Sequence, residues 1–272
     1  MELIGADGGA YELNQLLFAD DTALVADSEE KLCRLVTEFG RVCERRKLRV
    51  NVNKSKVMKC ARNGNVGGMN VRLNGEVLEE VECFEYLGAC VAANGGIEME
   101  VSHRVRKGYQ AFGALKMVLK NRGLGMSAKR RLYEGAIVPT TVYGAETWGM
   151  RLAERKRLNV LEMRCLRSMC GVTRLDRIRN EEVRRRTGVV RELAERADQR
   201  VLKWFGHMER MSDERLVKRV LKSEVSGRCV RGRPRIGWMD GVKGALRNRG
   251  MSLERARVCV RDRDEWRRQV NR

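Results

Sequence analysis

The sequence predicts an α+β protein: an antiparallel sheet with one helix in the first third, followed by helices. Three observations predict it. Residues 11–90 read as short apolar or alternating runs separated by turn residues, with a single amphipathic stretch among them. From about residue 97 the apolar spacing becomes helical. The charge also changes there. Residues 1–100 carry 12 Lys/Arg and 17 Asp/Glu, a net of −5, whereas residues 101–272 carry the remaining 44 and 19, a net of +25. The break near residue 100 is therefore a boundary in composition and in the expected structure. A segment of +25 attracts polyanions, with nucleic acid the first candidate, an anionic membrane surface the second and a merely solvated basic face the alternative.

The elements follow in order. Residues 11–26 read as a β-hairpin with Asp20 and Asp21 at its tip, and Ala23-Leu24-Val25-Ala26 is apolar throughout, as a strand buried on both faces would be. Ser28 is an N-cap followed by Glu29 and Glu30, favourable in a first turn. Leu32, Leu35, Val36, Phe39, Val42 and Cys43 then share one helical face. Residues 48–58 alternate like a short strand and turn. Asn74-Gly75, flanked by Val71-Arg72-Leu73 and Val77-Leu78, is the strongest hairpin signal in the chain. Val101, Val105, Phe112, Leu115, Val118 and Leu119 mark a helix, and Ser127 caps another running toward Pro139. Leu158, Leu161, Cys165, Leu166 and Met169 form a stripe ending at Gly171, a C′ glycine. Leu193, Ala197, Val201, Trp204, Phe205 and Met208 form the next. With two prolines and 27 glycines, glycine does most of the helix breaking.

Nine cysteines at scattered spacings, two histidines and no Cys-x-x-Cys pair give poor support for zinc, and several of the thiols, on apolar faces, read as reduced core residues. Met1-Glu2-Leu3-Ile4-Gly5 lacks the basic and long apolar segments of a signal peptide, and no apolar run of ~18 residues exists to span a membrane. An intracellular protein, nuclear or cytoplasmic, with no membrane partner is expected.

The chemistry-bearing motif is Leu16-Leu17-Phe18-Ala19-Asp20-Asp21-Thr22-Ala23-Leu24. Two adjacent carboxylates at a hairpin tip repel each other unless a divalent cation joins them, and Mg²⁺ binds through one or two carboxylates plus substrate phosphates. An ordinary Asp-Asp turn is the alternative for a bare pair. The flanks closely resemble the catalytic hairpin of reverse transcriptases, in the form used by non-LTR (LINE-type) retrotransposons. Four further blocks extend the resemblance in order. Lys47-Leu48-Arg49-Val50-Asn51-Val52-Asn53-Lys54-Ser55-Lys56 is similar to the next polymerase block, and Phe84-Glu85-Tyr86-Leu87-Gly88 to the primer grip. Leu132-Tyr133 through Val138-Pro139, with Tyr143-Gly144-Ala145-Glu146-Thr147-Trp148, resembles the thumb segment. Trp204-Phe205-Gly206-His207-Met208-Glu209-Arg210-Met211, Arg231 through Asp240 and Asp262 through Arg267 resemble the C-terminal tail of these polyproteins.

The resemblance implies a partial reverse-transcriptase palm over 1–96, an all-α thumb over 97–150 and a basic helical C-terminal region over 151–272. It implies RNA-templated DNA synthesis, with an RNA template and a DNA primer or target as partners. Asp20 and Asp21 would be the metal-binding catalytic pair, for Mg²⁺ or Mn²⁺. Lys54 would lie near the incoming nucleotide, and Phe84, Tyr86, Leu87 and Gly88 would form the primer grip. The family's third carboxylate lies on an earlier palm strand. Asp7, in a turn sequence, is a poor substitute, and the fingers have no counterpart. A catalytically incomplete polymerase fragment is therefore expected. The alternatives are a non-catalytic nucleic-acid-binding protein using residues 101–272 and a decaying copy without function.

Arg231-Gly232-Arg233-Pro234-Arg235 resembles the core of an AT-hook. Arg231, Arg233 and Arg235, extended by Pro234, fit a narrow A·T-rich minor groove, with a solvated loop as the alternative. Trp204, Phe205, Trp238 and Trp266 could stack on bases, although Trp at helical spacing is more often core. His207 has no nearby Cys or His with which to share a metal.

Overall fold

The computed structural model describes residues 2–4, 10–60, 68–223 and 236–271. The chain divides into two compact units, Met1–Gly96 with Met211–Gly232, and Ile97–Arg210 with Arg233–Arg272.

In the first unit, β1 (Glu2–Ile4) pairs with β2 (Ala10–Glu12), and β3 (Gln15–Phe18) pairs with β4 (Asp21–Leu24), both antiparallel. Helix α1 (Glu29–Arg45) starts where the sequence places it, with the Ser28 Oγ accepting the Lys31 N–H at 3.2 Å. Its buried residues are Val36, Gly40 and Cys43, whereas Val42, expected on the same face, is 40% exposed. A Cβ on Gly40 would lie 2.9 Å from the Asn74 Oδ1, so the glycine lets the helix lie close on the hairpin beneath it. That hairpin is β6 (Arg72–Leu73) with β7 (Glu76–Val77). Asn74 and Gly75 both take positive φ in its turn, as the Asn-Gly signal requires. A 3-10 turn (Val52–Lys54) leads into β5 (Lys56–Val57), which pairs in parallel with β8 (Glu79–Glu80). Finally β9 (Cys83–Tyr86) and β10 (Ala89–Ala92) form another antiparallel hairpin.

Among the described residues the expected antiparallel sheet is divided into five separate two-stranded sheets, one of them parallel. Turn residues interrupt the chain after every two to four strand residues, too few for ladders to extend across several strands. The core is correspondingly small, built on Val36, Val57, Val71, Leu73 and Leu78. The Cys83 and Cys90 sulfurs are joined in a disulfide across the β9–β10 hairpin, where the sequence suggests reduced thiols.

The second unit is helical. Helix α2 (Glu98–Lys120) crosses α5 (Leu152–Cys170) at Gly108, where a Cβ would come within 2.6 Å of the Leu161 side chain. Helix α3 (Met126–Leu132) starts after Gly125, so Ser127 lies inside it instead of capping it. It runs through a π-helical turn (Tyr133–Ile137) into α4 (Val138–Thr141). Pro139 stands just after that π-helical turn, at the beginning of α4. The predicted α5 stripe is buried, and Gly171 ends the helix in the left-handed conformation at φ 66°. Helices α6 (Asn180–Thr187) and α7 (Leu193–Glu209) follow, then α8 (Leu216–Lys222), which groups with the first unit. The tail adds α9 (Trp238–Arg247), α10 (Leu253–Cys259) and α11 (Arg263–Asn271). Residues on both sides of position 150 share one core: Val101, Phe112 and Tyr133 pack with Leu158, Leu166 and Leu193. No described helix is long and apolar enough to cross a membrane.

One buried acid ties this unit together. Glu162 on α5 has no exposed surface. It accepts from the Tyr133 hydroxyl at 2.9 Å, from the Arg184 guanidinium at 2.7 Å and from the Leu193 N–H at 3.2 Å. Burial, with Glu162 beside it, holds the Tyr133 hydroxyl well above its ordinary pKa near 10. Tyr133→Phe removes a hydrogen bond to a charged acceptor and should lower stability by about 1.5–3 kcal/mol in urea titrations. Because the folded state keeps the phenol neutral, its contribution is complete below pH ~10 and fades above it, as the unfolded phenol ionises. The wild type should therefore lose more stability than Tyr133→Phe between pH 9.5 and 11; parallel profiles would contradict this.

Candidate functional site

The Asp-Asp motif straddles the end of a two-residue turn, so only Asp20 of the expected pair lies at the tip. Phe18 pairs with Asp21 across the ladder, leaving Ala19 and Asp20 at the tip. Ala19 has φ 51°, a left-handed conformation that an alanine adopts only at a cost. Both aspartates are exposed. Leu16, Leu17 and Phe18 behind them are 40%, 64% and 62% exposed, and Ala23 to Ala26, expected to be buried on both faces, are half-buried. Asp7 lies outside the described residues. Among the described residues no group of three His, Cys, Asp or Glu side chains could hold a metal ion. Two carboxylates suit a weakly held hard cation, but a two-ion phosphoryl-transfer centre needs further ligands, so no catalytic step is derived from this hairpin.

Lys54 ends the 3-10 turn, its N–H donating to the Asn51 Oδ1 at 3.1 Å, and its side chain is exposed. The neighbouring Lys56 is engaged by Glu79 at 2.6 Å. The primer-grip-like residues occupy the β9–β10 hairpin: Phe84 and Tyr86 are half-buried on β9, and Leu87 and Gly88 form its turn at φ 49° and 77°. A leucine in the left-handed region is unfavourable, and it presents its side chain, 37% exposed, at the tip. The β3–β4 and β9–β10 hairpins form separate sheets and do not pair with each other. The structure thus places both motifs at strained turns of one unit without joining them in a sheet.

Arg231, Arg233 and Arg235 lie outside the described residues. The aromatic residues of the tail are largely core. Phe205 and Trp266 are buried, with ring centroids 6.0 Å apart. Trp238 is half-buried, and its indole N–H donates to the Glu146 carbonyl at 2.8 Å. Trp204 is half-buried with its ring 5.4 Å from His207, which is exposed.

Sequence reasoning missed an acid-free cationic stretch on α2 and α3. Between Val101 and Tyr133 there are nine Lys/Arg and no Asp/Glu, a signal that segment-wide totals conceal. Arg104 is taken up by buried Glu100 at 2.8 Å, Lys129 donates to the Met169 carbonyl and Arg130 to that of Gly188. The other six, Arg106, Lys107, Lys116 and Lys120 on α2, Arg122 after it and Arg131 on α3, are exposed and have no carboxylate partner among the described residues. From Arg106 to Lys120 the helix rises roughly 21 Å, a run of several phosphates along a nucleic-acid strand.

Similarity to known proteins supports a transposon-related origin. The chain is 25% identical over 268 residues to a transposon-derived protein of Caenorhabditis elegans, covering 93% of this chain and 94% of that one. It is also 25% identical over 162 residues to a protein of Drosophila melanogaster described as an RNA-directed DNA polymerase from transposon BS. That match covers 56% of this chain and spans only 18% of the polymerase. No protein-family model matches the chain, and no solved structure matches it.

Two clustered carboxylates should bind Mn²⁺ weakly. In NMR titrations, paramagnetic broadening should begin at residues 18–22 and be lost there in Asp20→Asn/Asp21→Asn. Broadening that starts at other carboxylates would remove the hairpin as the preferred cation site.

Proposed function

We propose that the chain carries the palm-hairpin, primer-grip and thumb-like parts of a LINE-type reverse transcriptase, and that it acts by binding nucleic acid and does not extend a primer. The match to a transposon RNA-directed DNA polymerase and the ordered motifs support the family part. The observation that carries the binding part is the α2–α3 surface: six exposed cations on a helical scaffold, in a stretch of 33 residues without a carboxylate. In this proposal those cations face the phosphates of an RNA–DNA or DNA duplex, and Leu87 at the strained β9–β10 turn faces a primer end. Lys54 neutralises a phosphate, and Asp20 and Asp21 attract Mg²⁺ or Mn²⁺.

Binding of the full chain to duplex should be tight at low salt and fall steeply with salt, at about −0.9 in log–log slope per phosphate neutralised. Replacing Arg106, Lys107, Lys116, Lys120, Arg122 and Arg131 with Gln should reduce that slope by about 3–5 if most of them each neutralise one phosphate. An unchanged slope would place the interface elsewhere. Primer extension on an RNA template with Mg²⁺ or Mn²⁺ should be undetectable; extension abolished by Asp20→Asn would overturn the non-catalytic half of the proposal.

A further inference from the structure

The connection between α5 and α6, residues 171–179, contains Arg174, Arg177 and Arg179 around Leu175. Leu175 is 90% exposed, the most exposed large apolar side chain described. An aliphatic side chain held almost wholly in water has nothing to gain from the fold around it. The three arginines are also exposed, and none has a hydrogen-bonding or ion-pair partner for its guanidinium among the described residues.

The loop is nevertheless built. The Asp176 carboxylate turns back on its own turn, accepting from the Thr173 N–H at 2.6 Å and the Thr173 hydroxyl at 2.8 Å. Those bonds, the backbone one first, hold its pKa below the usual carboxylate range, so the acid stays ionised within the turn. The Leu175 N–H donates to the Thr173 Oγ1 at 3.2 Å. On the far side, Arg167 of α5 donates to the Ile178 carbonyl at 3.2 Å and the Asn180 Oδ1 at 2.8 Å. Arg177 is held at φ 51°, a conformation few non-glycine residues take. Glu182, nearby on α6, is engaged by Arg185 and Arg186, each at 2.7 Å. The neighbouring carboxylates named here are therefore occupied, and the three guanidiniums are left outward around an apolar tip.

We propose that this loop is a second nucleic-acid contact, an apolar wedge for the minor groove of a duplex. Leu175 enters against a base step, and Arg174, Arg177 and Arg179 lie on the adjoining phosphates and groove walls. Proteins that kink duplexes from the minor groove combine an inserted apolar side chain with flanking basic residues. The prior ordering of the loop lowers the entropy lost on docking. The inference rests on the proposal that the helical unit binds nucleic acid, but not on the α2–α3 surface being where it does so.

The test uses the full chain and a duplex carrying 2-aminopurine at successive positions. The wild type should raise 2-aminopurine fluorescence at one step by unstacking it. Leu175→Ala should abolish that rise while leaving the salt slope unchanged. Arg174→Ala/Arg177→Ala/Arg179→Ala should lower the slope by about 2–3, if each arginine neutralises one phosphate. Retained circular dichroism and urea midpoints confirm that both variants fold. A fluorescence rise that persists in Leu175→Ala, or an unchanged slope in the triple variant, overturns the wedge but leaves duplex binding by α2 and α3 standing. A wild type that does not bind duplex at low salt overturns both proposals.

Discussion

The helical unit is tied together by one fully enclosed acid. Glu162 is completely enclosed, and an ionised carboxylate removed from water is tolerated only when its acceptor sites are filled. The groups that fill them come from three places: the π-helical turn through Tyr133, α6 through Arg184, and the start of α7 through the Leu193 N–H. The last is one of the four amides that a helix start leaves unbonded, and the carboxylate also sits where the α7 dipole favours negative charge. One side chain thus fixes how three segments meet α5. The surfaces proposed to touch nucleic acid inherit that fixity, because α2 packs on α5 and the arginine-bearing loop leaves the end of α5.

A second constraint is close backbone approach. A Cβ on Gly149 would lie 2.8 Å from the Gly237 carbonyl oxygen, and one on Gly241 would lie 2.8 Å from the Gly149 Cα. Three glycines let the start of α9 press directly on the segment that follows α4, and the Trp238 indole completes the joint on the Glu146 carbonyl. The Trp148-Gly149 and Gly237-Trp238 pairs stand far apart in the chain and look like separate motifs. In the fold they are two halves of one contact, which accounts for their aromatic and glycine content without any call on base stacking.

What was legible in the sequence was local. Ser28 with Glu29 and Glu30, Asn74-Gly75 and Gly171 each carry their structural instruction within a few residues, and each is where it was expected. What was illegible depended on distant partners. The start of α3 falls at Gly125 because the helix is placed by Tyr133 and Ile137 in the core, whatever hydroxyl stands near its end. The short strands of the first unit carry a sheet-like pattern, yet pairing is decided by which segments meet, and that no local pattern records. Of the site, the hairpin was readable, but its turn is one residue earlier than expected, at Ala19 and Asp20, with Asp21 already paired to Phe18. The α2–α3 cations were hidden by summing charge over 172 residues, although a 33-residue window shows them. The α5–α6 loop was hidden for another reason. Asp176 dilutes its charge on paper, and only the hydrogen bonds to Thr173 show where that carboxylate is spent.

These contrasts bear on the proposal that the chain binds nucleic acid without extending a primer. A two-ion phosphoryl-transfer centre requires ligands from distant segments to converge within a few tenths of an ångström. The described residues of the first unit hold two carboxylates, Asp20 in a turn and Asp21 on the strand after it, in a unit whose core cluster has five buried apolar residues. Polyanion binding requires only a sufficient density of exposed, uncompensated cations on a scaffold rigid enough to hold them, since each neutralised phosphate contributes through released counterions with little demand on geometry. The second unit supplies that density on helices, and its core, closed around Glu162, holds them in place. The tolerance is therefore unequal: small displacements that would dismantle a metal centre leave the exposed cations of a helix almost unchanged.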